Sequence, residues 1–137
     1  MFSSIKTSLN NKVVVTDLTN KFLLGAENVI ARIAIAYSLH SGKKFSPLDV
    51  KDSGGKEYSK NILFGSYYKF YMALFCTYYN INEEDKDMPR YIKMHLDDGL
   101  EMIAKDVKDN PNLTGFDYLF DKIHDGLEEI AWIKHEI

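Results

Sequence analysis

The residues with chemistry to offer are mostly cations. Lys43, Lys44, Lys51, Lys56 and Lys60 fall within residues 43–60, a stretch rich in Gly, Ser, Pro and Asp. Lysines on a Gly-flanked loop suit contact with a phosphate backbone, since each can neutralise a phosphate and release its counterion. Asp49, Asp52 and Glu57 reduce the stretch to +2, so the site expected there is weak and salt-sensitive. A solvated polar loop accounts for the same residues. A second set opens the chain, where Ser4, Lys6 and Ser8 alternate with Ile5, Thr7 and Leu9. On a strand this alternation turns Lys6 and two hydroxyls outward, within reach of phosphate oxygens or base acceptors. A lysine guarding an edge strand gives the same pattern.

Acid–base and metal chemistry finds less to work with. His95 and Asp98, with Glu101 beyond them, share one helical face, and His124 and Glu128 share another. Neither pair is completed by an HExxH motif, a cysteine pair or a carboxylate cluster, so polar surface is expected, without catalytic or metal-binding residues. Ser53-Gly54-Gly55-Lys56 lacks the spacing of a nucleotide loop and the apolar strand before it, and no cofactor is expected. Cys76 stands among aromatics without a basic neighbour in sequence, which disfavours a reactive thiolate. Arg32, inside the apolar run VIARIAIA, is expected to pair with a Glu or a carbonyl. The helix start at Ala26–Asn28 exposes free N–H groups, but Glu27 would repel a phosphate there. The aromatic row Phe64, Tyr68, Tyr71, Phe75 and Tyr78 or Tyr79 has helical spacing, which favours core or interface over base stacking.

The elements that must hold these groups follow from periodicity. Ser3 to Leu9 reads as a short strand, which needs a partner; a second copy of itself is one candidate. A helix from Asn10 or Asn11, with Asn10 as its cap, carries Val14, Val15, Leu18 and Phe22. Gly25 breaks it, and a second helix runs from about Glu27 to His40, with Gly42 behind it. Residues 42–58 form a loop, 57–65 a short extended piece, and 66–80 an aromatic helix buried on more than one side. Asp87 and Pro89 start a helix with Ile92, Leu96, Leu100, Ile103 and Val107 on one face, ending near Asp109. Asn110-Pro111-Asn112 breaks the chain before a last helix from about Thr114, with Phe116, Leu119, Phe120, Ile123, Leu127, Ile130 and Ile133.

At 137 residues, one mainly α-helical domain is expected, spanning 1–137. No apolar run reaches membrane-spanning length, the opening MFSSIKTSLNN does not resemble a signal peptide, and one cysteine permits no internal disulfide. A cytoplasmic setting without membrane contact is the expectation. Residues 1–60 carry nine Lys/Arg against five Asp/Glu, and residues 61–137 carry eight against fifteen. Such asymmetry suits a basic end facing a polyanion, although scattered surface charge produces it too.

Strand, helix, tight Gly turn and apolar helix within residues 1–42 resemble the ribbon-helix-helix unit, whose strands pair between two copies and enter a DNA groove. VIARIAIAYSLHSG (29–42) followed by GKEYSKNILFG (55–65) resembles the core of the DndE family. The aromatic helix after it and IKMHLDDGLEMI (92–103) are similar to that family as well. The likeness covers about residues 5–109 and rests on order and spacing, without a catalytic signature. It implies a ribbon-helix-helix-like unit (1–42), a loop with family core helices (43–109) and an extra C-terminal helix (110–137). It further implies a small homo-oligomer, dimer or tetramer, that accompanies DNA backbone phosphorothioation. The partners so implied are double-stranded DNA and the system's larger subunits; the DNA contacts expected from the strand and loop residues themselves are Ser4, Lys6, Ser8, Lys43, Lys44, Lys51, Lys56 and Lys60. Two other readings stay open: a DNA nickase of the same system, and a protein–protein interaction module without DNA contact.

Overall fold

The computed structural model describes the backbone over residues 2–136 and side chains over residues 2–130. Its elements, in order, are β1 (Ser4–Lys6), α1 (Leu9–Phe22), α2 (Glu27–His40), β2 (Glu57–Ser59), α3 (Lys60–Phe64), α4 (Tyr68–Tyr79), α5 (Met88–Asp109) and α6 (Gly115–Glu136). The mainly helical class expected from periodicity is what the chain adopts.

The opening strand finds its partner inside the chain. β1 pairs antiparallel with β2 in the register Ser4↔Ser59, Ile5↔Tyr58, Lys6↔Glu57. This corrects the expectation of a ribbon formed between two copies. The physical reason lies in the loop, which returns at Gly54-Gly55 closely enough to satisfy the strand's backbone. Thr7 N–H donates to the Lys56 carbonyl at 2.9 Å, and Gly55 N–H donates to the Thr7 carbonyl at 3.0 Å. A Cβ on Gly55 would lie 2.1 Å from the Ser8 carbonyl oxygen, so only glycine permits this approach. Ile5 and Tyr58, opposite each other, point into the core.

Period two ends at Thr7. Ser8 caps α1, accepting from Asn11 N–H at 3.2 Å, so the helix starts earlier than an Asn10 cap would place it. Ser8 is therefore buried and Leu9 exposed, the reverse of their expected orientations. α1 buries Val15, Leu18 and Phe22, then stops at Leu23 in the left-handed conformation. α2 leaves it at 106°.

The main interface joins α2 to α5. Ile92, Leu96, Leu100 and Ile103 are fully buried against the α2 face of Ile30, Ala31, Ala34 and Ile35. Burying each of these larger side chains contributes about 1.5–3 kcal/mol relative to exposure. Gly99 sets the spacing, because a Cβ there would sit 1.9 Å from the Ala34 carbonyl oxygen. The expected extended piece at 57–65 is strand only to Ser59. The aromatic helix expected at 66–80 forms as α4, set off from α3 by a 3-10 turn at Gly65–Tyr67, where Gly65 takes φ 53°. Phe64 and Phe75 are fully buried, with Tyr71, Tyr78 and Tyr79 packed against the core, as their spacing predicted.

α6 joins at its first turns. Gly115 packs on the end of α1, where a Cβ would meet the Phe22 carbonyl oxygen at 2.2 Å, and the Phe22 and Tyr118 rings stack at 5.1 Å. Beyond that anchor Phe116, Phe120, Ile123, Leu127 and Ile130 remain exposed. Ile133, expected on the same stripe, lies outside the described side chains. Among the described residues, no single helix is long and apolar enough to cross a membrane.

Candidate nucleic-acid interface

The β1–β2 ladder brings one group of the predicted contacts together. Lys6 lies opposite Glu57 and Ser4 opposite Ser59, with Lys56 and Lys60 bracketing β2. Lys6 is exposed, and its carbonyl accepts from the Lys93 ammonium at 2.8 Å. Ser4 Oγ donates to Glu57 at 2.7 Å, a carboxylate that offsets charge on this surface. Lys56 lies 3.9 Å from Glu27, and the Lys60 ammonium stands 4.6 Å from the centre of the Tyr68 ring.

Ser8 does not share that surface. Its side chain caps α1 and its N–H donates to Asp97 at 3.0 Å, so it is a buried joint between strand and helix. Sequence alternation misassigned it because the helix cap reverses the strand's orientation one residue beyond Thr7.

The remaining lysines are carried elsewhere, onto the other flank of α5. Lys43 pairs with Asp98 at 3.0 Å, and Lys51 with Glu101 at 2.5 Å. The Lys44 ammonium lies 5.2 Å from the centre of the Tyr78 ring. The five lysines of residues 43–60 thus divide between two surfaces.

Two cations escaped the sequence reading. Arg90, in the first turn of α5, lines a groove of about 290 Å³ together with Ser4, Lys6, Ser53 and Lys93. Its side chain is 55% exposed and reaches Asp87 only at 3.5 Å. Lys93, almost wholly buried, bridges Asp97 at 3.0 Å and the Lys6 carbonyl. Asp97 in turn accepts from Asn11 at 2.8 Å and from Ser8 N–H. The pair fastens β1 and the start of α1 to α5, and so fixes where Lys6 emerges. No sequence signal links residues so far apart.

The loop beside this groove is held by a different device. Asp52 accepts from Leu9 N–H at 2.9 Å and Gly54 N–H at 3.0 Å, which holds its carboxyl below the ordinary value. Deeper in, Phe45 N–H donates to the Tyr79 hydroxyl at 3.2 Å, and that hydroxyl donates to His95 Nε2 at 2.5 Å. His95 Nδ1–H then donates to Ser38 at 2.8 Å, and Ser38 donates to Asp98 at 2.6 Å. Each hydroxyl gives one proton and receives one, an order that needs neutral His95 with its proton on Nδ1. Burial pushes the imidazole down from 6.5 to about 4, with Asp98 opposing and Lys43 reinforcing the change.

His95 and Asp98, the acid–base pair singled out in sequence, therefore both hold Ser38. His124 and Glu128 make a separate exposed pair at 3.1 Å on α6. Among the described residues, no group of three or more His, Cys, Asp or Glu is arranged to hold a metal. Arg32 donates to the Phe64 carbonyl at 3.4 Å and lies over Tyr67, the structural role expected of it.

The family model for the DNA sulphur modification protein DndE matches residues 4–110. The chain belongs to the DndE family. Two solved structures share the family's fold with it. One is DndE from Escherichia coli B7A, described as involved in DNA phosphorothioation modification, with TM-score 0.61 and 18% identity. The other is a DndE G21/24K mutant, described as involved in DNA phosphorothioation, with TM-score 0.64 and 21% identity. In both cases 75% of this chain and 98% of the other are covered. No curated protein sequence matches the chain. The DndE match stops at residue 110, so α6 lies outside it.

Proposed function

We propose that this DndE-family chain is a DNA-binding accessory and scaffolding subunit of the phosphorothioation machinery. It acts as a homo-oligomer beside the system's other subunits and contributes no catalytic group of its own. The observation that supports DNA contact best is the groove between β1 and α5, where Lys6 and Arg90 face solvent with Ser4 and Ser53 between them. Two cations and the Ser53 hydroxyl suit phosphate oxygens, so the contact is chiefly with the backbone and largely independent of base sequence. Lys56 extends the basic edge along β2. Lys43 and Lys51 contribute less, since carboxylates hold them at close range, whereas Arg90 reaches Asp87 only at 3.5 Å and Lys56 reaches Glu27 only at 3.9 Å.

Duplex binding measured across salt concentrations tests this reading. Affinity should fall as salt rises, and Lys6→Glu or Arg90→Glu should weaken binding and flatten the salt slope by about one each. A protein that ignores duplex DNA at low ionic strength would leave only partner contact within the machinery. The nickase reading is tested by incubating plasmid with the protein, with and without chelator. Metal-dependent nicking lost in His95→Ala or Asp98→Ala would replace the accessory role with an enzymatic one.

A further inference from the structure

We infer that α6 is a self-association element, which pairs antiparallel with α6 of a second copy through its exposed apolar stripe. The stripe residues Phe116, Phe120, Ile123, Leu127 and Ile130 are spaced four, three, four and three apart. That is the seam of a coiled coil, narrower than the face a helix buries against its own domain. The helix has no such face to offer inward. Its polar and close contacts with the body come from Gly115, Tyr118, Lys122 and Glu129, and alongside α2 it leaves an apolar groove of about 380 Å³. Ile33 and Ala36 of α2 form one wall, and Leu119 and Ile123 of α6 the other.

The exposed area favours a second copy as the occupant. The five side chains are 74%, 60%, 55%, 61% and 53% exposed. At roughly 100 Å² each, they offer about 500 Å² per copy and about 1,000 Å² per pair, the threshold of a specific interface. A two-fold contact sets one surface against itself, so it tolerates no net charge at its centre. The stripe carries none. Asp117, Asp121, His124, Asp125 and Glu128 fall between the stripe positions in sequence, while Glu129 is turned toward His40 at 3.2 Å and Lys122 toward Asp106 at 3.6 Å. Antiparallel pairing about Ile123, the middle of the stripe, opposes the helix dipoles. The grooves beside the two stripes then close into a four-helix arrangement of α2, α6 and their copies. DNA contact plays no part in this association.

Sedimentation equilibrium of the full chain tests it. Ile123→Glu or Leu127→Glu should reduce the mass of the assembled species about twofold, whatever association the rest of the chain supports, with far-UV circular dichroism unchanged. Mild oxidation of Ile123→Cys in a Cys76→Ser background should give a disulfide-linked pair of chains, while Asp121→Cys in that background should not. Raising salt should leave wild-type association intact or strengthen it, because the flanking acids are screened. An unchanged mass in folded Ile123→Glu protein, or no cross-link in the Ile123→Cys variant, overturns the inference. So does association that occurs only with a basic protein and weakens as salt rises.

Discussion

The two flanks of α5 handle charge in opposite ways. On the strand flank, the charged pair Lys93–Asp97 is buried and structural, which leaves Lys6 and Arg90 at the surface above it. On the loop flank, the buried centre is the neutral chain through His95, and the charges lie outside as Lys43–Asp98 and Lys51–Glu101. A lysine count is therefore a poor measure of a phosphate-binding surface. What matters is how closely a carboxylate already engages each cation. The two flanks carry three predicted lysines each, and only the strand flank keeps exposed cations in a groove.

The strongest way to break this difference is to remove the buried pair. Asp97→Ala strands the Lys93 ammonium and strips acceptors from Ser8 and Asn11, so stability to urea should fall by about 3–5 kcal/mol. Lys93→Met with Asp97→Leu should restore part of that loss, since an apolar pair leaves no buried charge.

Acid separates the flanks next. The folded-state value for His95 lies below its unfolded one, so its contribution is complete above pH 6.5 and is lost as pH falls toward about 4. Its share should approach roughly 3 kcal/mol at the lower limit. Denaturant midpoints of wild type and His95→Gln, compared across that range, should show the wild type declining more steeply. Parallel curves would mean that folding leaves the affinity of the imidazole for its proton unchanged.

DNA affinity gives a smaller contrast. Lys6→Glu and Arg90→Glu should each weaken duplex binding by about tenfold at moderate salt, against less than about threefold for Lys43→Glu or Lys51→Glu. Equal losses on both flanks would erase the distinction. The smallest effect belongs to the surface pair itself. A double-mutant cycle on Lys51 and Glu101 should return at most about 1 kcal/mol, because both groups are solvated.

Helical elements were legible wherever apolar spacing ran long. The Glu27–His40 bounds of α2 and the Asp109 end of α5 match the periodic reading, because a single buried face dictates both pattern and length. Short elements were not. Ser8 looked like an outward strand residue, since one cap hydrogen bond outweighs an alternation only a few residues long. The candidate site divided in the same way. Lys6 was visible as an outward cation on a strand, whereas Arg90 looked like an ordinary helix-start residue until folding set it beside Ser4.

Residue order alone determined the helical class, the breaks at Gly25 and Asn110–Asn112, and the amphipathic character of α6, because these follow from contacts a few residues apart. Tertiary structure decided that β1 pairs with β2, which lysines meet carboxylates and which apolar stripe stays bare. Those outcomes depend on groups more than forty residues apart in the chain meeting across α5, and local periodicity carries no record of distance through space.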